Sequence, residues 1–368
     1  MSNGNATAAS LRPTDLRSLR DAVLDTAGTI AIGGAGTAAG WAAPLGPVDA
    51  TLDTTAMTGV LTHNPGDMTV SVRAGTPLQA LAEELAPHGQ HVAFDAARVG
   101  NGATVGGLLA TADAGPAALV HGSLRDLVIG VTIVLADGTV ARSGGHVIKN
   151  VAGYDLAKLM HGSYGTLGVL AEVVLRLHPV PKATTTLVVE CSLPEAAEHA
   201  ARVLGGPYEP AALEWTSDGR LLVRVEGTEG ALPARVQRVR ELLGAGSELD
   251  DPWERHAALV RGTGEHAVLR LGVRPSRLPG LLERLPTATV TAGLGTGVAT
   301  VALDPAAVAE AHALVHEAGG TSALRARPEG SDAPAWGPPP TAIDVLRAVK
   351  AELDPQGRFG PGRFDPWM

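Results

Sequence analysis

Four glycine-rich segments constrain the fold of this sequence more than any other feature. In chain order they are IGGAGTAAG, GNGATVGGLLATADAG, HGSLRDLVIG and GGHVIKNVAGYDLAKLMHGSYGTLGVL. Ordered glycine costs conformational entropy, so such segments mark tight turns or places where the backbone closely approaches a ligand. Any one of them could be only a tight turn. Four together, each beside a regular element, predict an extended ligand that is held by main-chain groups.

The glycine-rich part of the first segment, residues 33–40, formally fits a loose dinucleotide-binding pattern, with Asp53 at about the expected distance. That pattern requires a helix directly after the glycines, and Pro44, Gly46 and Pro47 prevent one. A Rossmann fold is therefore excluded. A glycine loop without a helix can still offer backbone N–H groups to phosphate oxygens.

The second segment has the helix start that the first one lacks. Thr104 and the pair Gly106 and Gly107 open an apolar, helix-like run, and a helix N-terminus attracts anions. A diphosphate with a flat ring system at each end suits four such segments, and FAD is a molecule of this kind.

The apolar pattern predicts regular elements around these segments. It indicates a helix in RPTDLRSLRDAVLDTA, a strand in TIAIGG, a strand and then a helix in GDMTVSVRAGTPLQALAEELAPHG, and a hairpin in DLVIGVTIVLADGTVARSGG. The strand GVLAEVVLRLHPVP ends at Pro179 and Pro181, which we interpret as a domain boundary.

Beyond that boundary, strands and helices alternate in a pattern typical of an α+β domain with helices on one face of an antiparallel sheet. A proline-rich segment then precedes a last helix, TAIDVLRAVKAELD, and a turn-rich tail. We predict an α+β protein with a first domain over residues 1–181 and a smaller cap domain over 182–328. A C-terminal segment over 341–368 is predicted to return to the first domain.

Composition excludes several classes of protein. A formal net charge of −9 argues against a nucleic-acid surface, which needs clustered cations. The single cysteine, Cys191, excludes an internal disulfide and an all-cysteine iron–sulfur site in this chain. No signal-peptide pattern opens the sequence, and no apolar stretch reaches the roughly 18–20 residues of a membrane span. We therefore expect a soluble, cytoplasmic protein without a transmembrane segment.

The order of the segments carries a family resemblance. GGAGT, ATVGGLLAT, HGSLRDLVIGVTIVLADGTV, KNVAGYDLAKLMHGSYGTLGVLAEVVLRLHPVP and LDPQGRFGPGRF follow one another as in the FAD-binding PCMH-type (vanillyl-alcohol-oxidase-like) flavoproteins. Among these, the sequence resembles the FAD-binding subunits of glycolate oxidases over nearly its whole length. KNVAGYDL is the most specific part of the resemblance.

The resemblance implies FAD as the cofactor and assigns roles to individual residues. The pyrophosphate would lie against Gly33, Gly34, Ala35, Gly36, Thr37, Thr104, Gly106 and Gly107. Ser123 and Asp126 would hydrogen-bond along the cofactor. The flavin ring would lie near Lys149, Asn150, Gly153 and Tyr154, and the adenine and ribose near Gly162, Ser163, Gly165, Gly168 and Val169. Tyr154 and Asp155 could equally be a packed tyrosine and a helix cap.

Departures from the family pattern bear on function. The first loop contains neither histidine nor cysteine, so we expect FAD to be bound non-covalently. Tyr164 stands in GSYG where the catalytic relatives carry GSEG, and their histidine-containing GDGN-type motif is absent from the sequence. His312 and His316 lie four apart on a predicted helix, but no third ligand is evident. A solvated helix face is therefore favoured over a metal site.

Two functions stay open. The first is an FAD-binding subunit of a glycolate oxidase-like complex, with a catalytic flavoprotein and an iron–sulfur protein as partners. The second is a stand-alone dehydrogenase or oxidase of a small 2-hydroxy acid, which needs a cation for the carboxylate and a base for the hydroxyl proton. Arg270, Arg325 and Arg327 could supply the cation, although surface positions are favoured for them, and no base is identifiable. The missing histidine motif favours the subunit.

Overall fold

The structure is a computed structural model that describes residues 8–147, 153–249 and 251–368. The first part of the chain contributes short strands to three sheets. These strands are β1 (Ala9–Leu11), β2 (Ile30–Gly33), β3 (Ala50–Asp53), β4 (Val60–Asn64), β5 (Thr69–Arg73), β6 (Gln90–His91), β7 (Val128–Val134), β8 (Val140–Gly144), β9 (Val169–Arg176) and β10 (His178–Pro179).

The sheets of this part differ in whether their strands run parallel or antiparallel. Strands β1, β3 and β2 form a parallel sheet in that order, β4–β5–β9–β7–β8 form an antiparallel sheet, and β6 pairs with β10. The predicted strands β2, β5 and β9 and the predicted β7–β8 hairpin are confirmed. The helices here are α1 (Leu16–Asp25), α2 (Leu78–Leu85), α3 (Val105–Ala110), α4 (Ala118–His121), α5 (Leu124–Leu127) and α6 (Leu156–Met160).

Strand β9, at the centre of the five-stranded sheet, is apolar and is covered on both faces. Along β9, Leu170 and Val173 pack into a core with α2 and α3, whereas Val169 and Ala171 pack into a second core with α1. A strand buried on both faces is a nearly continuous apolar run rather than an alternating one.

The second part of the chain forms one eight-stranded antiparallel sheet, which we name the cap sheet. Its strand order is β14–β11–β13–β12–β16–β17–β15–β18. The strands are β11 (Ala183–Glu190), β12 (Ala212–Thr216), β13 (Arg220–Gly227), β14 (Ser247–Glu248), β15 (Ala267–Gly272), β16 (Thr287–Gly293), β17 (Val298–Leu303) and β18 (Thr321–Ala326).

One face of the cap sheet is apolar and covered by helices, as predicted. It packs with α7 (Leu193–Leu204), α8 (Leu232–Leu243), α10 (Leu278–Leu282) and α11 (Val308–Glu317) into a single core. One helix departs from this arrangement: α9 (Pro252–Arg261) lies on the opposite, polar face, where His256 contacts Glu214.

The C-terminal segment returns to the first part of the chain, as predicted. After α12 (Ile343–Leu353), Phe359 forms a parallel bridge with Ile30 and is fully buried in the core that also contains Leu19. The Arg358 side chain donates to the backbone oxygens of Gly28, Val23, Thr26 and Ala136. This agrees with the predicted α+β fold; the boundaries of its domains stay predictions.

No helix within residues 8–147, 153–249 or 251–368 is both long and apolar enough to cross a membrane.

Candidate functional site

The loop after β2 forms one wall of a cavity of about 300 Å³, which we name the glycine-loop cavity. Its other walls come from β3, from α3 and from the turn before β9. Ten of the residues predicted to bind the cofactor border it: Gly33, Gly34, Ala35, Gly36, Thr37, Thr104, Gly106, Gly107, Gly165 and Gly168.

Backbone N–H groups of the loop are available to a ligand. Within the described part of the chain, no protein acceptor is recorded for the N–H groups of Ala35, Gly36 and Thr37. Gly36 has a φ of 72°, and a Cβ atom added to it would meet no atom within 4 Å. Gly34 must lack a side chain because its Cβ would lie 2.5 Å from the Thr104 hydroxyl oxygen. Consecutive unpaired N–H groups in such a loop form a nest for an anion such as a diphosphate.

The start of α3 does not offer the donors that the sequence suggested. The N–H groups of Val105 and Gly106 donate to the backbone oxygens of Thr76 and Ala74, at 2.9 and 2.8 Å. The Thr104 hydroxyl accepts from the Gly107 N–H at 3.1 Å and so caps its own helix. Because the protein already satisfies these donors, free N–H groups for an anion lie in the loop after β2 and not at the start of α3.

A buried ion-pair cluster lies beside the glycine-loop cavity. The Arg98 side chain donates to Asp113 at 2.9 Å, and Arg325 of the cap sheet donates to the other oxygen of Asp113 at 2.6 Å. Arg98 also donates to the Thr37 hydroxyl at 3.0 Å, which connects the cluster with the glycine loop. The Trp41 ring lies against both guanidinium groups, with centroid distances of 4.0 and 3.8 Å. We name Arg98, Asp113 and Arg325 the arginine–aspartate triad.

The two arginines of the triad keep Asp113 ionised although its carboxylate is buried. Burial raises the pKa of Asp113, but the charges of Arg325 and Arg98 outweigh it, so the pKa lies below its ordinary value. A second cavity of about 300 Å³, the linking cavity, borders the triad. It shares Gly36 and Thr37 with the glycine-loop cavity.

The largest of the three cavities, about 490 Å³, lies against the polar face of the cap sheet, and we name it the cap cavity. Side chains alternate between the two faces of a strand, so the neighbours of the apolar core residues point to this face. In the sheet, Arg270 pairs with Thr300, and Thr300 pairs with Thr291. Arg270, Thr300 and Thr291 therefore form one polar row, and all three border the cavity.

Charged groups in the cap cavity are paired, with one exception. Arg224 donates to Asp95 at 3.0 Å, and His256 Nε2 lies 3.2 Å from Glu214 Oε2. Arg270 forms no ion pair with any described residue and donates only to the backbone oxygen of Ala114, at 3.2 Å. Burial and the nearby Arg325 lower the pKa of Arg270 to about 10, so it remains a cation at neutral pH.

His161, which also borders the cap cavity, is a neutral group. Burial, followed by the charge of Arg125, lowers its pKa to about 4. Its Nε2 atom is buried and has no hydrogen-bond partner among the described residues. Buried polar atoms are usually hydrogen-bonded, so this atom marks a position where a ligand could supply the missing partner.

Comparison with known proteins identifies the family. Residues 8–144 match the FAD binding domain family. The chain is 34% identical over 318 residues to the glycolate oxidase subunit GlcE of Escherichia coli (strain K12), which covers 85% of this chain and 87% of that protein. The chain belongs to the GlcE family. FAD is confirmed as the predicted cofactor.

A second relative matches a smaller share of this GlcE-family chain. The glycolate oxidase subunit GlcD of Bacillus subtilis (strain 168) is 36% identical over 152 residues, covering 41% of this chain and 31% of that protein. A solved alkyldihydroxyacetonephosphate synthase has a TM-score of 0.70 at 17% identity, with 96% of this chain and 75% of that one covered. That likeness supports the fold of the FAD-binding PCMH-type flavoproteins.

Several predicted residues of the GlcE-family chain lie away from the glycine-loop cavity. Ser123 borders the cap cavity, and Asp126 accepts from the Ser123 N–H to cap α5. Ser163 is buried and donates to the Met160 oxygen, whereas Val169 packs in a core. Gly162 donates to the Leu109 oxygen.

Gly153 and Tyr154 border none of the three cavities, and the Tyr154 side chain is 89% exposed. Lys149 and Asn150 lie outside the described residues. The roles of these side chains therefore stay predictions.

The surface positions favoured for Arg325 and Arg270 are wrong. Arg325 is buried in the triad, Arg270 borders the cap cavity, and Arg327 is partly buried and donates to the Ala42 oxygen at 2.6 Å.

The prediction that His312 lies on a solvated helix face is also wrong. Its ring is buried: Nε2 donates to the Pro334 oxygen and Nδ1 accepts from the Ser322 hydroxyl. His316 is exposed, so the two rings do not converge.

The pair of His256 and Glu214 and the triad were missed from the sequence. Asp113 carried a signal, because a single charge in the apolar run LLATADAG indicates a buried ion pair. Glu214 carried a similar one, since it alternates with Leu213 and Trp215 in the strand ALEWT.

Proposed function

We propose that this chain is the FAD-binding subunit of a glycolate oxidase-like complex that oxidises 2-hydroxy acids, with its FAD bound non-covalently. The observation that carries the proposal is the glycine loop: three of its N–H groups have no acceptor among the described residues, and it borders a cavity with ten of the predicted cofactor residues. The loop contains no histidine or cysteine that could bind flavin covalently.

We further propose that FAD extends from the glycine-loop cavity toward the cap cavity. Residues 110–115 support this course, because Ala110 and Thr111 border the first cavity, Asp113 the linking cavity, and Ala112 and Ala114 the cap cavity. With the diphosphate at residues 34–37, the flavin ring would reach Gly122 and Ser123 of the third glycine-rich segment. FAD, when bound, supplies a two-electron acceptor for oxidation of a hydroxyl-bearing carbon.

A catalytic flavoprotein and an iron–sulfur protein are the proposed partners. The proposal draws on the name of the GlcE relative, which is a subunit, and on the lack of a cysteine-rich motif in this chain. Electrons would leave the complex through the iron–sulfur partner. A cytoplasmic location, with membrane contact only through partners, remains a prediction from the sequence.

Purification of the chain followed by an absorbance spectrum tests the cofactor part of the proposal. We expect the bands of oxidised flavin in the native protein and, after acid precipitation, in the supernatant. Flavin that stays with the precipitated polypeptide would contradict non-covalent binding. A colourless protein that takes up no FAD on titration would contradict the proposal as a whole.

One observation favours the second candidate, a stand-alone enzyme. The cap cavity contains Arg270, one of the cations that the sequence offered, which forms no ion pair with a described residue, and an imidazole–carboxylate pair that could supply the base. Anaerobic addition of glycolate or D-lactate distinguishes the candidates. The subunit proposal expects slow or no flavin bleaching in the chain alone and turnover with the partners present, whereas rapid bleaching of the chain alone supports the stand-alone enzyme.

A further inference from the structure

Three histidines lie together beside the start of the cap sheet, and we name them the histidine cluster. His91 of β6 and His178 of β10 are direct partners across the two strands, so their side chains share one face. The His121 ring, at the end of α4, lies edge-on to the His178 ring with a centroid distance of 4.5 Å. We propose that this cluster is a proton-sensitive latch, which holds the cap sheet against the first part of the chain at neutral pH and releases it in acid.

Two connections join the histidine cluster to the cap sheet. Residues 180–182 alone separate β10 from β11, the first cap strand in the chain. The second connection is Asp95, which accepts from both terminal nitrogens of Arg224 on β13 at 3.0 Å and from the Ala117 N–H, just before α4, at 2.9 Å. Asp95 and Arg224 also border the cap cavity. A displacement of α4 or β10 therefore disturbs both the junction with the cap sheet and the wall of this cavity.

Negative charge is scarce around the histidine cluster. Apart from the imidazoles themselves, the described charged groups whose fields act on it are Asp95, Glu226 of β13 and Arg176 of β9. Asp95 is already paired with Arg224, so Glu226 is the one carboxylate of this group without a recorded ion pair in the described part of the chain. Three protonated imidazoles beside Arg176 would therefore repel one another with little compensation.

The imidazoles of the cluster are uncharged at neutral pH. Burial lowers the pKa of all three, and it lowers the pKa of His178 to about 4, with the charges of His121, Arg176 and His91 acting in the same direction. The Nδ1 atom of His178 is buried and has no hydrogen-bond partner among the described residues. A proton on this atom would find neither water nor an acceptor, so the closed arrangement resists protonation.

Acid favours an open form in which the imidazoles are separated and hydrated. The pKa of His178 is about 4 in the closed arrangement against an ordinary 6.5, so the open form binds more protons between these values. The open form therefore gains population as pH falls through this range. His91 and His121 become charged beside Asp95, where they compete with Arg224 for its carboxylate. Both effects release the cap sheet from β10 and α4.

Trp253 reports on the latch because its ring lies 4.2 Å from the guanidinium carbon of Arg224. In the purified full chain, we expect its fluorescence to change between about pH 7.5 and about pH 5 while the far-UV circular dichroism stays constant. Loss of the change in Trp253→Phe would assign the signal. Amide hydrogen exchange at Ala117 should accelerate over the same range, since its N–H loses the Asp95 acceptor. With allowance for solvent screening, titration of His178 should raise the open fraction roughly tenfold.

Two substitutions at the centre of the cluster act in opposite directions. His178→Gln removes the imidazole that contacts both others, so the transition between about pH 7.5 and about pH 5 should lose most of its amplitude. His178→Arg places a permanent positive charge there and should open the latch already at about pH 7.5. His316→Gln, which changes an exposed histidine on α11, is the control and should leave the transition as it is.

Constant fluorescence and constant hydrogen exchange in the wild-type chain over this pH range overturn the proposal. An unchanged transition in a folded His178→Gln protein also overturns it. If the variants fail to fold, the exchange map of the wild-type chain decides, because acceleration that begins outside residues 89–97 and 116–122 contradicts the latch. The flavin absorbance keeps the two proposals apart: a chain that shows the transition but binds no FAD contradicts the proposed function and leaves the latch intact.

Discussion

The glycine-loop cavity and the cap cavity are built from different parts of the polypeptide. The first is formed mainly by backbone, with N–H donors and glycines from short continuous segments of sequence. The second is formed by side chains of strands that are distant in sequence, such as Glu214 on β12 and Arg270 on β15. A backbone site leaves a local pattern of glycines in the sequence. A side-chain site depends on which strands become neighbours, so the sequence carries no local pattern for it.

The arginine–aspartate triad joins the two regions, and its loss should have the largest effect. Asp113→Asn leaves Arg98 and Arg325 buried without their shared counter-ion, which typically costs about 3–5 kcal/mol of unfolding free energy. Urea unfolding measures the change. Arg284→Met, which removes an exposed ion pair with Glu317, is the control and should cost less than about 1 kcal/mol. Equal costs for the two variants would show that the triad does not connect the regions energetically.

Adding a single methyl group to the glycine loop should weaken FAD binding at the glycine-loop cavity. Gly36→Ala adds a Cβ in open space at the border of the glycine-loop cavity and should lower FAD affinity roughly 10- to 100-fold by obstructing donors to a charged ligand. Gly330→Ala is matched, because Gly330 has a φ of 76° against 72° and equally open space around its Cβ. Both variants carry the strain of a left-handed residue, about 1–2 kcal/mol. The two variants should therefore differ in FAD affinity, measured by titration, but not in thermal stability. Equal FAD affinity in the two variants would show that the diphosphate does not bind at the glycine loop.

Acidification from about pH 6.5 to about 4 should destabilise the fold through the cap cavity, which is the smallest expected effect. His161 borders the cap cavity, and none of the described histidines borders the glycine-loop cavity. Its folded-state pKa of about 4 lies below the ordinary 6.5, so the unfolded chain binds more protons between these values. The free energy of unfolding should therefore fall as pH falls from about 6.5 to about 4.

The variant His161→Gln should make that pH dependence shallower, whereas the exposed His316→Gln should not change it. An unaltered slope in His161→Gln would assign the acid sensitivity to other groups, such as His178, whose pKa burial also lowers to about 4.

Elements with a strong local pattern could be predicted from the sequence. The spacing of Leu78, Leu81 and Leu85 predicted α2, and the turn ADG predicted the β7–β8 hairpin. The glycine loop was predicted because only backbone-permissive residues suit it. The donors at the start of α3 were predicted wrongly, since their acceptors on Ala74 and Thr76 come from another segment.

The cap cavity could not be predicted for a related reason. Arg270 and Glu214 share a cavity only because β16 and β17 lie between β12 and β15 in the sheet. Strand order is a property of the whole fold, and alternation within one strand shows which residues share a face but not which strands lie side by side.

The burial of Phe359 against Ile30 has a consequence for the order of folding. Arg358 bonds to the Val23 oxygen across 335 residues of sequence, so the core beside α1 closes one of the longest loops that the chain can form. The entropic cost of closing such a loop is smaller when the intervening chain is already compact. The cap sheet lies within that loop, so its folding brings the two ends of the loop closer together. Substitutions that destabilise the cap sheet should therefore slow formation of the core beside α1, although they lie outside that core.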